Sequence, residues 1–229
     1  GPFGEGIDGD LEPGTRAGGF VGAVYSLPHD KIHWQVERSP TWVRVLYGRA
    51  AESRCDMIEI VTLRCTAIDR ATPTSVLGFT FGKTLVEGFL GGPMDLVGYA
   101  GFIHHHDRPY QRNAAEVNLF LKAYYRGLPW SHRVLTRLGL GWGITVADPV
   151  PYAEVIEQAE RSRRTSRVLN YVDPSIDFSL GDAIGSPEWK QTFVGLGITH
   201  RSGMFAHSRL LGGVRGGSNY IVLYLERPY

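Results

Sequence analysis

The chain has 229 residues and a formal net charge of +1, with 29 glycines and an aromatic content of 11%. A charge this close to zero argues against nucleic acid as a partner. The sequence also has no run of about 18 apolar residues that would predict a transmembrane helix. The abundance of glycine and aromatic residues favours short strands and turns over helices.

Residues 1–56 are predicted to form an N-terminal arm. The first 19 residues are rich in glycine, proline and acidic side chains, and prolines 28 and 40 interrupt strand-like stretches at 20–26 and 31–47. The start of the chain lacks the basic end and apolar segment of a signal peptide. We therefore expect either a cytosolic protein or a mature form whose signal peptide was removed.

From residue 57 onward, apolar β-rich runs alternate with turn-like breaks. We predict eight strands, or ten if 20–47 adds a hairpin, near 57–66, 76–89, 94–104, 113–125, 133–147, 169–181, 190–202 and 217–228. If 57–66 is one strand, Cys55 and Cys65 lie about 33 Å apart and cannot pair. If that stretch contains a turn, a disulfide becomes feasible.

The faces of these strands favour a membrane barrel. In 169–181, Val172, Ile176 and Phe178 lie opposite Asp173 and Asp177, and other strands place glycines and opposite charges on the polar face. Short breaks also alternate with longer ones at 105–113, 148–168 and 203–216, as in outer-membrane barrels with short periplasmic turns. The apolar final stretch SNYIVLYLERPY looks like the assembly signal of such barrels.

We therefore predict an all-β fold, an antiparallel transmembrane β-barrel over 57–229, in the bacterial outer membrane. Closing the sheet removes the unpaired strand edges that lipid does not tolerate. A soluble, lipocalin-like barrel is the alternative, because a period of two does not tell inside from outside.

The stretch 190–202 carries a candidate reactive pair. Read with a period of two, His200 and Ser202 share a mostly apolar face with Val194, Leu196 and Ile198. A hydrogen bond between the imidazole and the hydroxyl is geometrically feasible at this spacing. The two residues are half of a nucleophile–base arrangement.

The motif THRSG, followed by a glycine-rich loop and an apolar last strand, resembles the PagL-type lipid A 3-O-deacylases, an acyloxyacyl hydrolase-like family of outer-membrane barrels. The resemblance is strongest over 190–229. It implies an eight-stranded barrel that removes an ester-linked acyl chain from lipid A without a metal or another cofactor. His200 would act as the base and Ser202 as the nucleophile.

The chain departs from the family at two positions. The family has a carboxylate at the start of the last strand, where this chain has GGSNY, so Asn219 is expected to orient His200. The family also has an asparagine after its serine, where this chain has Gly203. The backbone N–H groups of Gly203 and Met204 are therefore the candidates for binding the oxyanion.

A second candidate site follows the barrel strand 133–147. Tyr152, Val155, Ile156 and Ala159 recur at helical spacing and predict a short amphipathic helix in an outer loop. Four arginines come after it and are candidates for binding lipid A phosphates: Arg161, Arg163, Arg164 and Arg167. The alternative is a solvated loop with a helical turn. We expect no metal site at His104–His106, because adjacent strand residues point to opposite faces.

Two functions remain in view for a membrane barrel. The first is an esterase whose partners are lipid A, lipopolysaccharide or other outer-membrane lipids. The second is a non-catalytic scaffold or subunit of an envelope assembly, in which residues 1–56 bind a protein partner. The missing carboxylate favours the second.

Overall fold

The computed structural model describes residues 41–203 and 217–229, which form a closed antiparallel barrel with strands in chain order. The strands are β1 (Thr41–Ala50), β2 (Ser75–Val86), β3 (Met94–His106), β4 (Ala114–Tyr125), β5 (Thr136–Asp148), β6 (Val168–Ser179), β7 (Phe193–Ser202) and β8 (Asn219–Pro228). The helices are α1 (Met57–Val61), α2 (Tyr152–Glu160) and α3 (Leu180–Ile184), with 3-10 turns at Phe89–Gly91 and Pro187–Trp189. Pairing of β1 with β8 closes the sheet. The predicted eight-stranded barrel is confirmed.

The strand predicted at 57–66 is wrong. This stretch holds α1, and Cys55 and Cys65 are joined by a disulfide with their Cα atoms 5.4 Å apart. The carboxylate of Glu59 accepts a hydrogen bond from the backbone N–H of Asp56, as in a capping box. Local capping and the covalent bridge therefore outweigh the β-branched composition of the stretch.

The first barrel strand, β1, lies within the range predicted as the arm. Its apolar residues Val43, Val45 and Tyr47 alternate with Arg44 and Leu46, which point into the barrel. The arginine interrupted the apolar pattern in the sequence, and Pro40 comes directly before the strand. The strand-like stretch at 20–26 and the rest of residues 1–40 lie outside the described residues.

The two ends of the barrel differ. The connections 51–74, 107–113 and 149–167 lie at one end, called here the loop end, where β7 also ends and β8 begins. The connections 87–93, 126–135 and 180–192 lie at the other, the turn end, together with Thr41 and Tyr229. The predicted grouping is correct for the described breaks, and the predicted break 203–216 lies outside the described residues except for Gly203. The prediction that turn-end connections are shorter than loop-end connections holds only in part. The turn-end connection 180–192 carries two short helices and is longer than the loop-end connection 107–113.

The outer wall of the barrel is apolar. Large apolar side chains on six strands remain 40–60% exposed: Val45, Phe79, Phe81, Leu119, Leu121, Leu140, Trp142, Leu196, Leu223 and Leu225. Soluble monomeric proteins rarely expose a contiguous apolar surface of this kind. It matches the lipid-facing band of a membrane barrel.

Within residues 41–203 and 217–229, none of the helices is long and apolar enough to cross a membrane.

The interior is charged and filled. Six buried side chains, called here the lumen network, cross it: Arg44, Lys122, Arg137, Asp173, Asp177 and Glu226. They form a continuous chain of ion pairs in the order Lys122–Asp173–Arg44–Glu226–Arg137–Asp177, with N···O distances of 2.8–2.9 Å. Three cations balance three carboxylates. An apolar wall around a charged interior is the polarity of a membrane-spanning β-barrel, not of a lipocalin.

Glycines on the inner wall make room for this filling. A Cβ atom at Gly195 would collide with the ring of Tyr224, and one at Gly139 would collide with the side chain of Lys122. The hydroxyl of Tyr224 in turn donates to Asp177 at 2.7 Å. The glycines of β5 and β7 therefore relieve crowding inside a narrow barrel.

Substitution of Glu226 tests the lumen network. Glu226 accepts from Arg44, Arg137 and Tyr99. Glu226→Gln leaves Arg44 with Asp173 and Arg137 with Asp177. The three buried cations of the lumen network then face only two carboxylates. We expect the free energy of unfolding, measured by urea titration in lipid vesicles, to fall by about 3–5 kcal/mol. The exposed Glu188, replaced in the same way, should leave it unchanged. Equal stabilities of the two variants would contradict the role of the network.

Substitution of Leu119 tests the orientation of the wall. Leu119 is 58% exposed at the middle of β4, so Leu119→Arg should place a charge in the hydrocarbon core of the bilayer. We expect a loss of about 2–4 kcal/mol in the same vesicle titration. Leu90, which is 66% exposed at the turn end, is the matched control. A neutral result for Leu119→Arg would mean that this face does not meet lipid.

Candidate active site on the outer wall

His200 and Ser202 lie on the outer face of β7, at the loop end. The intervening Arg201 points into the lumen, where its guanidinium donates to Glu154 at 2.9 Å and to Thr145 at 3.1 Å. Alternation along the strand places its two neighbours on the opposite face. The sequence prediction that His200 and Ser202 share one face of a strand is confirmed.

Asn219 contacts His200 across the β7–β8 pair. The two residues are in direct register, and His200 Nδ1 lies 2.7 Å from Asn219 Oδ1. The amide nitrogen of Asn219 donates to the carbonyl oxygen of Cys55 at 3.0 Å. This second bond fixes the amide orientation, so the group facing His200 is an acceptor and Nδ1 must carry the proton. The other ring nitrogen, Nε2, then keeps its lone pair, which is the tautomer that a base requires.

Ser202 is buried beside this pair, with 3% of its surface exposed. Its hydroxyl has no hydrogen-bond partner within the described part of the chain, so the bond from Ser202 to His200 is not formed. Gly203 is also buried and follows directly. Met204, the other candidate oxyanion donor, lies outside the described residues.

A disulfide-closed segment covers these side chains. Residues 51–68, called here the disulfide segment, are joined at their base by a bridge between Ala51 and Ile68. Cys55 and Ile60 of this segment form an apolar cluster with Ile198 of β7. His200 is 9% exposed and Asn219 is 7% exposed. A substrate can therefore reach Ser202 only if this segment or its neighbours move.

No sequence motif points to Asn170, which faces the same site. Asn170 in β6 is in direct register with Ser202, and Val172 is in register with His200. The amide nitrogen of Asn170 is buried and has no hydrogen-bond partner among the described residues. The register of two strands separated by a long turn brings Asn170 to this position, and the sequence carries no local signal of it.

The predicted helix is present as α2, but its buried face is polar. Glu154, Glu157 and Gln158 are buried, whereas Val155 and Ile156 are only half-buried. Glu154 is the partner of Arg201, so the helix closes the loop end of the lumen by pairing with charges inside it. The helical spacing of apolar residues identified the helix, but those residues are not the ones that it buries.

The four arginines after α2 differ in their surroundings. Arg161 is bound within the protein, because it contacts Glu157 at 3.0 Å and donates to the carbonyl oxygen of Ser53 at 2.7 Å. Arg167 lies 3.2 Å from Asp148 and is 69% exposed. Arg163 and Arg164 are exposed on the same connection. Arg161 thus ties α2 to the disulfide segment, and three of the four guanidinium groups face outward.

A cavity of about 460 Å³ lies at the loop end between the disulfide segment, α2 and the start of β8. Glu52, Asp69, Glu157 and Ser218 line it, and it reaches Asn219. Burial raises the pKa of Glu157 to about 7, against the opposing effect of Arg161. Hydrogen bonds from Thr72 and the backbone lower the pKa of Asp69.

No set of three His, Cys, Asp or Glu side chains in residues 41–203 and 217–229 is arranged to hold a metal ion. The three consecutive histidines point to alternate faces. His105 lies in the lumen, 2.8 Å from Glu116, and His104 lies outside, 3.2 Å from Asn113.

The combination of apolar wall, charged lumen and loop-end helix defines a membrane-spanning β-barrel. Among solved structures, the chain is similar to the N-terminal β-barrel domain of OprF from Pseudomonas aeruginosa. The two share 8% sequence identity with a TM-score of 0.43, over 83% of this chain and 98% of that one. No family model matches the chain, and no characterised protein matches it by sequence. The membrane interpretation therefore depends on the barrel's own wall and lumen.

The pKa of Glu157 predicts a pH dependence of stability. A carboxyl whose pKa is near 7 in the folded protein and near 4.5 when unfolded binds more protons in the folded state between these values. Stability should therefore fall as the pH rises from about 4.5 to about 7, and then level off. Asp56 and Glu154, which also face this carboxyl, act in the same direction.

Glu157→Gln should remove this component. The thermal unfolding midpoint of the variant, followed by circular dichroism in detergent, should vary less with pH than that of the wild type. Glu160 is exposed on the same helix, and Glu160→Gln should keep the wild-type profile. Parallel profiles for wild type and Glu157→Gln would contradict the raised pKa.

Proposed function

We propose that this protein is an outer-membrane ester hydrolase that removes an acyl chain from lipid A or a related acylated lipid. The observation that carries the proposal is the contact between His200 Nδ1 and Asn219 Oδ1 at 2.7 Å, beside the buried hydroxyl of Ser202. A base of the correct tautomer, a residue that orients it and an uncommitted hydroxyl are the parts that acyl transfer requires.

The reaction proceeds in two halves. The Ser202 hydroxyl oxygen attacks the ester carbonyl carbon while His200 Nε2 takes its proton. The tetrahedral intermediate collapses, the alcohol of the lipid leaves with the proton from His200, and the acyl chain remains on Ser202. Water then attacks this acyl-enzyme with His200 again as the base, which releases the fatty acid and restores the serine.

Asn219 positions the base and does not change its charge. An amide holds an imidazole in place but stabilises the imidazolium less than a carboxylate does. We therefore expect a slower enzyme than one with a carboxylate at this position. The hydrogen bond from Asn219 to the Cys55 carbonyl oxygen holds the amide in place. Asn219 can therefore orient His200 rigidly, although it lacks the negative charge of a carboxylate.

The location of the site suits a substrate held in a bilayer. Leu196 and Leu223 continue the apolar wall below it on β7 and β8, and both are at least half exposed. Acyl chains packed along this wall would present their ester groups near the loop end. The lipid phosphates would then lie on the side of the barrel that carries Arg163, Arg164 and Arg167. The guanidinium groups of these residues would bind the phosphates through bidentate contacts.

A second function has support from the same geometry. The hydroxyl of Ser202 and the ring of His200 are not hydrogen-bonded to each other, and the disulfide segment packs on Ile198 of the same strand. In a non-catalytic barrel of an envelope assembly, these residues would anchor the disulfide segment to the wall. Its partner would bind at the loop end or through residues 1–40, which lie outside the described chain.

Mass spectrometry of lipid A separates the two functions. Wild type in detergent should remove one acyl chain, and Ser202→Ala should leave the lipid intact. The half-buried Ser131, replaced by alanine at the turn end, should retain wild-type activity. If lipid A stays intact with both wild type and Ser202→Ala, the result would contradict the proposed hydrolase function and favour the non-catalytic scaffold.

A further inference from the structure

Asn170 is a polar residue at a position on the barrel wall where packing alone would favour an apolar side chain. Its neighbours on β6, Tyr171 and Asp173, point into the lumen, where Tyr171 packs on Phe120 and Asp173 pairs with Arg44. Asn170 therefore points to the outer face, which is otherwise apolar at this height. It is 5% exposed, so this is a polar side chain buried on the lipid side of the wall.

The amide nitrogen of Asn170 has no hydrogen-bond partner within the described part of the chain. A buried donor without a partner is costly, and such groups in a folded protein call for a reason. The hydroxyl of Ser202 is also buried without a hydrogen-bond partner among the described residues. Asn170 on β6 and Ser202 on β7 are in direct register. Side chains in register on one face have Cβ atoms about 4.5–5.5 Å apart.

We propose that the side-chain amide of Asn170 donates to the oxyanion that forms when Ser202 attacks an ester. This inference rests on the proposed hydrolase and assigns it a further catalytic residue. The two unpartnered groups flank a space in which the carbonyl of the substrate would lie. Its carbon would meet Ser202 Oγ and its oxygen would meet Asn170 Nδ2.

The other described side chains around Ser202 do not supply this donor. Asn219 is committed on both sides of its amide, to His200 and to the carbonyl oxygen of Cys55. Val172, which faces His200 from β6, has no polar atom. Asn170 is neutral, so it stabilises a developing negative charge without competing with His200 for the proton of Ser202.

The charge movement is balanced at every step. As Ser202 Oγ bonds to the carbonyl carbon, the carbonyl π electrons move onto oxygen and the serine proton moves to His200 Nε2. Asn170 donates to the resulting oxyanion and keeps its own proton. On collapse, the electrons return to the carbonyl, the bond to the lipid alcohol breaks, and His200 protonates the leaving oxygen.

A pair of variants with the same shape tests the donor. Asn170→Thr keeps a hydroxyl donor, whereas Asn170→Val replaces it with a methyl group, and both branched side chains suit a strand. The probe is 4-nitrophenyl dodecanoate in detergent micelles, with kcat and KM measured separately. Removing one oxyanion donor typically lowers kcat about 10²–10³-fold. We expect this loss in Asn170→Val with KM nearly unchanged, and at least about tenfold higher kcat in Asn170→Thr.

Asn118→Val is the matched control. Asn118 is also a buried asparagine with an unpartnered amide among the described residues, but it lies in the lumen on β4. Its replacement should leave kcat unchanged. Band shifts on unheated gels show that each variant has folded into a barrel.

The outcomes separate this inference from the proposed function. If Ser202→Ala retains wild-type hydrolysis of the probe, the hydrolase itself fails. If Ser202→Ala is inactive and folded Asn170→Val stays within about threefold of wild-type kcat, the hydrolase stands and the oxyanion role is overturned. Equal losses of kcat in folded Asn170→Thr and Asn170→Val also overturn the oxyanion role, because a loss of packing would lower kcat in both variants alike.

Discussion

The chain of six charges across the lumen is the constraint on which the rest of the structure depends. Lys122, Asp173, Arg44, Glu226, Arg137 and Asp177 link five of the eight strands, with each charge neutralised by its neighbours. Charges buried in this way are tolerable only when all of them are paired. The network therefore requires one register between the strands, and it fills the interior where a pore would be. With the lumen occupied, the outer wall and the loop end are the surfaces that remain open to a ligand.

That register also builds the candidate site. The alternation that sends Arg201 inward to Glu154 sends His200 and Ser202 outward. The pairing of β7 with β8 then brings Asn219 to His200, and the pairing of β6 with β7 brings Asn170 to Ser202. No loop has to be ordered for these four side chains to meet. Positions on strands of a closed sheet are held more rigidly than positions on loops, which suits a site that must be preorganised.

Sequence patterns predicted the parts of this protein that follow a period of two. Seven of the strands were predicted within a few residues, because one of their faces had to be apolar. The first strand was predicted only within the optional hairpin at 20–47, because Arg44 joins a network whose other members are distant in the sequence. The strand predicted at 57–66 was wrong because a disulfide and a local cap decide that segment. His200, Ser202 and Asn219 were found through a motif, whereas Asn170 needed the register between strands, which no single stretch of sequence contains.

The seam where the barrel closes passes through the site. The backbone N–H of Ala51, just beyond β1, donates to the carbonyl oxygen of Asn219 at 2.9 Å, while the side chain of the same residue orients His200. β1 and β8 are the first and last strands, so their pairing completes the cylinder. An open sheet has neither the Ala51 bond nor the Cys55 carbonyl held against the amide of Asn219. Assembly intermediates therefore lack an oriented His200 imidazole, and the candidate site is complete only in a closed barrel.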